Sequence, residues 1–338
     1  MSTTSSSPQR TAPVPSSVLA RIQAPVRGEL ERVVAEMVRI ITDDNPLIGS
    51  LNHHLMGMRG KMFRPTLVLL SSQVEGTPDP RAVVLSAVIE LLHLATLVHD
   101  DVVDHSALRR GMPTINALFS HQTSVIMGDY LYARALREIV RAGDVESLRV
   151  LTEASNEMTL GEMRQLSSID RLSFTEDDYD DLIRAKTAAL ISAACEVGAM
   201  CGAPASRETL ARYGQRLGMA FQVADDLLDY TAETAVTGKP SGLDLRERKV
   251  TLPLIAAMRE MGQDGRLRVE SLFATEEPTD AQIAEVVALV AEHGGLEYAR
   301  RRGEQFAQEA EEALADLPAT PARAALADAI GYVMDRRS

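Results

Sequence analysis

The sequence predicts an all-α protein. Apolar residues recur at helical spacing along most of the 338 residues. Breaks containing Pro or Gly separate these stretches, and no segment shows the strict alternation of a strand. A hydrophobic content of 45% allows a sizeable core, and the length fits one large domain or two ordinary ones. A single helical domain is expected over residues 18–338. The Ser-, Thr- and Pro-rich start, Met1 to about Ser17, reads as a disordered tail that lacks the apolar core of a signal peptide.

In order, Val18 to Ile41 reads as one amphipathic helix, with Leu19, Ile22, Val26, Leu30, Val33, Val34, Met37 and Ile40 at helical spacing. Asp43 to Pro46 breaks it, and a second helix covers about Pro46 to Met56. The turn from Gly57 to Pro65 comes next. Its glycine spacing, and the lack of Ser or Thr after Lys61, exclude a nucleotide-binding P-loop. Lys61 and Arg64 ahead of a helix starting near Pro65 form a plausible anion site, although, taken alone, an exposed basic turn explains them better. After Pro78–Pro80 a helix runs to about Asp104, apolar nearly all round and therefore central. Its most apolar run, Ala82 to Val98, contains Glu90 and His93. That is short and polar for a membrane span, so no transmembrane segment and a cytoplasmic location are expected. Further helices are expected at about Thr123–Ala142, Val145–Ile169, Thr175–Gly202, Ala205–Tyr230 (capped by Ser206), Leu252–Met261, Asp280–Ala315 with a candidate break at Gly294-Gly295, and Pro321–Arg336. Ala274 to Pro278 reads as a linker. Cys195 and Cys201 read as buried thiols of a reducing compartment.

The net charge of -13 argues against nucleic acid or anionic lipid as partners. Within that acidic chain two runs repeat one pattern: His99-Asp100-Asp101-Val102-Val103-Asp104 and Asp225-Asp226-Leu227-Leu228-Asp229 both contain Asp-Asp-x-x-Asp. On a helix, positions i and i+4 share a face, so Asp100 points with Asp104 and Asp225 with Asp229. Stepping back from Asp225 through Phe221, Leu217 or Gly218 and Gly214 traces an apolar or small stripe, so this run is expected to face inward. The first run ends its helix, where the dipole disfavours negative charge. So many carboxylates require cations, and oxygen ligands without Cys point to a hard ion such as Mg²⁺, which usually binds few carboxylates plus a substrate phosphate. The pattern reads as a diphosphate held between two acidic helices. Arg109 and Arg110, beside a turn marked by Gly111 and Pro113, suit a bidentate phosphate clamp. His93 lies seven residues before Asp100 on the same face. Lys186-Thr187 sits mid-helix in apolar surroundings, where a lysine by itself usually snorkels outward. Lys239, Gly242, Asp244 and Lys249 occupy the loop after the second run.

Gly60-Lys61-x-x-Arg64-Pro65, the first Asp-rich run with Arg109-Arg110-Gly111, Lys186-Thr187, Phe221-Gln222 and the second Asp-rich run occur one after another in the order found in the trans-isoprenyl diphosphate synthases. From about residue 25 to its C-terminus the chain resembles these head-to-tail polyprenyl synthetases. One departure is Arg248-Lys249-Val250-Thr251-Leu252-Pro253, where the family often reads Gly-Lys-x-Thr-x-Pro. The resemblance implies an isoprenoid-synthase-type bundle of ten or more helices around a deep central cavity, usually a homodimer. It also implies roles. Asp100, Asp104 and Asp225, with Asp229, bind three Mg²⁺ ions. Arg109, Lys186, Lys239 and Lys249 hold an allylic diphosphate, with Thr187 and Gln222 near it. Lys61, Arg64, His93 and Arg110 bind isopentenyl diphosphate. Asp100, Asp104, Asp225, Lys186 and Arg109 carry the catalytic assignment. In this family the residues four and five before the first Asp influence product length. Here they are Thr96 and Ala95, neither aromatic, so a hexaprenyl-to-decaprenyl product is expected, as for a quinone side chain. The alternatives are a farnesyl or geranylgeranyl product, a class I terpene cyclase, and a non-catalytic subunit of a heteromeric synthase.

Overall fold

A computed structural model of the chain describes residues 17–76, 78–167, 171–231 and 242–335. Among these the architecture is all-α apart from one minimal hairpin. The expected first helix is two. α1 (Val18–Gln23) is capped by Ser17, and a 3₁₀ turn, Ala24–Val26, separates it from α2 (Arg27–Ile41). Pro25 supplies the break, because it has no amide to continue the ladder. α3 (Pro46–Gly57) begins with Asn45 accepting from Leu47 N and Pro46 in the first turn. α4 (Phe63–Ser72) starts two residues earlier than expected. Pro65 falls in its first turn, where a missing N–H breaks no bond.

After α5 (Arg81–Val103) come strands β1 (Leu108–Arg109) and β2 (Met112–Pro113), paired antiparallel around Arg110 and Gly111. Both turn residues have positive φ, 53° and 76°, as a two-residue hairpin matching strand twist requires. Periodicity gave no sign of so short a pair. α6 (Ile115–Leu118), α7 (His121–Arg141) and α8 (Val145–Ser167) come next. The expected Thr175–Gly202 helix is interrupted. A Thr175–Asp178 capping box starts α9 (Glu176–Ile183), a π-turn covers Arg184–Ala188, and α10 (Ala189–Gly202) continues. α11 (Arg207–Thr231) comes after a 3₁₀ turn, Pro204–Ser206. Ser206, expected as its cap, lies inside that turn and its hydroxyl donates to Glu75.

The C-terminal part comprises α12 (Leu243–Arg246), α13 (Leu252–Glu260), α14 (Gln263–Ala274), α15 (Asp280–Glu292), α16 (Gly295–Leu314) and α17 (Pro321–Met334). The break at Gly294-Gly295 is present, with Gly294 at φ 74°. α14 escaped the sequence reading because only Val269 and Leu272 of it are buried, too few to mark a period.

α5 is the central helix. Leu85 through Leu92 are buried without interruption, and α2, α4, α7 and α10 pack around it. It is long and apolar enough to cross a membrane by length and composition, yet 67% of that window is buried inside the bundle. α11 lies between α10 and α16. Small residues set these spacings: a Cβ on Gly198 of α10 would stand 2.3 Å from Val68 O of α4, and one on Gly218 of α11 would stand 2.6 Å from Ala188 Cα of the π-turn. The free thiols Cys195 and Cys201 are buried. Burial pushes both up to about 12, so they remain protonated and inert.

Candidate active site

The C-terminal end of α5 carries the first acidic run. Asp104 N bonds to Asp100 O over 2.8 Å, so the helical turn persists through the motif and both carboxylates share a face. Burial pushes the Asp100 carboxyl up to about 6; Lys186 opposes this, and the charges of Glu162 and Asp104 add to it. Asp101 points the other way. It is buried and accepts from Arg109 Nε over 2.8 Å, which fixes the β-hairpin against α5.

The C-terminal end of α11 carries the second run. Asp225 is exposed and opens onto a cavity of about 400 Å³; the member buried in the protein is Asp226. Asp226 accepts from Tyr179 Oη over 2.6 Å and from Gln222 Nε2 over 2.8 Å, and Gln222 Oε1 accepts from Thr187 Oγ1 over 2.7 Å. Asp229, expected to bind metal, lines the same cavity, but its oxygens accept from Leu243 N over 3.0 Å and Asp244 N over 3.1 Å. It therefore also starts α12, in the manner of a cap.

Two lysines stand between the runs. Lys186 projects from the π-turn, with Nζ 2.7 Å from Glu162 and 3.2 Å from Gln165 Oε1. A single π-turn shifts the next residues out of the α-helical register, and such turns recur at functional sites. Lys249 comes directly after Arg248, whose φ is 56°, and sits 2.6 Å from Glu247 in the field of Asp104 and Asp244. Both lysines line the first cavity, with Thr187, Gln222 and Asp225, and also a neighbouring one of about 340 Å³ bordered by Asp104. Asp244 joins this group. Burial pushes its carboxyl up to about 7, Asp229 adds to the shift and Lys249 opposes it. Lys239 lies outside the described residues.

The second cationic set gathers at α4, α5 and the hairpin. Arg110 donates to Met58 O over 2.8 Å, and its guanidinium covers Gly60 so closely that a Cβ there would meet it at 2.6 Å. His93 is held well below its ordinary value, first by burial and then by the charges of Arg64, Arg110 and Arg109. It is therefore a neutral imidazole beside two arginines. Lys61 extends over the Tyr332 ring at 5.8 Å. Ala95 is buried, Thr96 bonds His93 O over 2.8 Å, and neither lines the two cavities.

The oxygen-only donor set fits Mg²⁺. Among the described residues no three His, Cys, Asp or Glu side chains converge as a ready-made metal cage. Mg²⁺ does not need one, since it binds through one or two carboxylates and fills its octahedron with water and substrate phosphate. Sequence reasoning missed Tyr179, Asp244 and Glu90. Glu90 is buried one turn before His93; burial raises its carboxyl, and Arg64 and Arg110 pull it back. Tyr179 left a legible trace, lying seven residues before Lys186 and so near the same face.

The chain matches the Polyprenyl synthetase family model over residues 45–290. It is 38% identical to an all-trans-nonaprenyl-diphosphate synthase (geranyl-diphosphate specific) of Rhodobacter capsulatus, over 93% of this chain and 97% of that one. It is 37% identical to the octaprenyl diphosphate synthase of Escherichia coli, over 91% and 96%. The crystal structure of a polyprenyl synthase from Caulobacter crescentus, complexed with calcium and isoprenyl diphosphate, superposes with a TM-score of 0.89 at 34% identity, covering 96% of this chain and all of that one (100%).

Proposed function

The chain belongs to the polyprenyl synthetase family, a family of prenyltransferases, and from that premise we propose that it condenses isopentenyl diphosphate head-to-tail with an allylic diphosphate, with Mg²⁺, to give a long all-trans polyprenyl diphosphate. One observation carries the reading: Lys186 and Lys249 stand between two acidic helix ends, near Asp100 and Asp104 on one side and sharing a cavity with Asp225 on the other. Cations flanked by carboxylates accept a diphosphate together with its metal ions.

The residues divide the work. Asp100, Asp104 and Asp225 hold Mg²⁺, and Asp229 stands beside them while anchoring α12. The bound metal supplies neutralisation of the charge that develops on the leaving diphosphate. Arg109, Lys186 and Lys249 bind the allylic diphosphate directly, with Lys239 expected to join them and Thr187 and Gln222 contributing near it. Arg109 is pre-aimed by Asp101. Lys61, Arg64, His93 and Arg110 bind isopentenyl diphosphate, and neutral His93 donates a hydrogen bond without adding a third charge beside Arg64 and Arg110. The alkene attacks the allylic cation, the departing diphosphate takes the lost proton, and apolar walls keep water from the cation.

The small Ala95 and Thr96 support a product in the hexaprenyl-to-decaprenyl range, as do the octaprenyl and nonaprenyl names of the relatives. The exposed apolar side chains of Leu118 and Phe119, at the end of α6, and of Val125 and Ile126, at the start of α7, support a homodimer. Mass spectrometry after incubation with isopentenyl diphosphate, Mg²⁺ and a farnesyl or geranylgeranyl diphosphate primer tests the activity. Hydrocarbon release from farnesyl diphosphate alone would instead identify a cyclase. Activity appearing only on addition of a second chain would identify a subunit.

A further inference from the structure

Asp226 sits directly after the exposed Asp225 but is itself buried, at the inner wall of the same cavity. It is 5% exposed, and its oxygens take side-chain bonds from both directions, Tyr179 Oη at 2.6 Å and Gln222 Nε2 at 2.8 Å. An amide has one donor end and one acceptor end, and Asp226 Oδ1 accepts from the donor end of Gln222. Asp226 therefore turns the Gln222 NH₂ towards itself, and Gln222 Oε1 is left to accept from Thr187 Oγ1 at 2.7 Å. With its proton committed to Gln222, the Thr187 hydroxyl has only lone pairs left to present to the cavity. All four residues line that cavity, so the relay runs from the core to the reaction wall.

The far end of the relay is anchored. The Tyr179 ring is 2% exposed. Its helix, α9, is tied to α13 and α16 by Arg259 on Glu176 at 2.6 Å, Tyr298 Oη on Glu176 at 2.8 Å and Arg302 on Asp180 at 2.6 Å. We propose that Tyr179 is a positioning residue for prenyl transfer: by holding Asp226 it fixes the Gln222 amide, and through it the orientation of the Thr187 hydroxyl. This rests on the proposed prenyl transfer. Tyr179 is not among the residues assigned to either diphosphate, so its loss is expected to act on the chemical step and not on substrate affinity.

Two measurements on Tyr179→Phe test this, one of them independent of activity. In the crystal structure of the variant, the Gln222 amide turns away from Thr187; a Gln222–Thr187 bond unchanged in length and partners overturns the proposal whatever the activity. In steady-state assays with isopentenyl diphosphate, Mg²⁺ and farnesyl diphosphate, kcat falls about tenfold or more while both KM values stay within about twofold of wild type. A double-mutant cycle separates positioning from plain stability. In a Gln222→Ala background, Tyr179→Phe costs less than about twofold, because its route of action is already cut. Full multiplication of the two losses overturns the proposal. Should Tyr179→Phe fail to fold, Asp226→Ala removes the partner of both bonds and is expected to reproduce the kcat loss; wild-type kcat in that variant overturns it. Wild-type protein without condensation activity sinks the parent reading, and the Gln222 geometry still decides the role of Tyr179.

Discussion

Asp101 and Asp226, the middle members of the two acidic runs, are buried and each holds another side chain of the candidate site. Asp101 takes Arg109 and Asp226 takes Gln222. Asp225 lines one cavity and Asp104 the neighbouring one, with Asp100 one helical turn before Asp104, and for Asp100 and Asp225 the expected outcome of removal is chemical. Asp100→Ala or Asp225→Ala lowers kcat by about two to three orders of magnitude, the usual scale for losing one stabiliser of developing charge. Rapid-quench turnover measurements check this, and near-wild-type rates refute the metal role. Ala95→Phe shortens the product, read from the chain-length profile by mass spectrometry; an unchanged profile puts the floor of the tunnel elsewhere. Strain gathers at the same places. Among the described residues, the non-glycine positions with positive φ are Met62, His105, Arg110 and Arg248. They lie next to Lys61, next to Asp104, at a binding arginine itself, and next to Lys249. Each costs about 1–3 kcal/mol that the surrounding packing must offset.

At the scale of elements, close helix contacts set where these side chains arrive. α11 lies flush on the π-turn because Gly218 has no Cβ, and Gln222 is one turn further along. α10 lies flush on α4 at Gly198. There Gly198→Ala pushes a methyl into a backbone carbonyl and is expected to destabilise the fold by about 1–3 kcal/mol by urea denaturation, while KM for both substrates remains nearly unchanged. α2 and α7 are joined differently, by Arg39 on the buried Glu138 at 2.6 Å. Burial alone would raise the Glu138 carboxyl, but the hydrogen bond and charge of Arg39, with Arg141, hold it below the ordinary 4.5. A folded-state value below the unfolded one means that the unfolded chain protonates first. The contribution is thus complete above pH 4.5 and declines as pH falls through the folded value. Arg39→Met is expected to lose less stability than wild type when denaturation is compared at neutral and acidic pH; parallel losses would show that the pair carries no pH dependence.

Across the whole molecule the bundle brings together groups from distant parts of the chain: the ends of α5 and α11, the π-turn before α10, and the segment leading into α13. The four exposed apolar side chains Leu118, Phe119, Val125 and Ile126 are the counterpart outside, the surface of the proposed dimer. Ile126→Asp is expected to shift sedimentation from dimer to monomer, and a wild-type sedimentation coefficient in that variant would remove this surface from the interface.

The sequence by itself determined the class and most helices, and it singled out the candidate ligands. Apolar periodicity reports helices directly, and charged residues set against the helix dipole or inside an apolar face stand out as costs needing a functional reason. Helix interruptions without strong breakers, such as the π-turn, were not legible, since a one-residue change of register scarcely alters the apolar pattern. Nor were α14, whose buried face is too thin, or the hairpin, whose strands are two residues long. Only the tertiary structure decided that Asp101 and Asp226 are the buried, hydrogen-bonded members of the two runs, and that Tyr179, Asp244 and Glu90 stand with the candidate site. A single i,i+4 face is shared by all helices of that sequence, but burial and hydrogen-bond partners depend on what another helix presents across the gap.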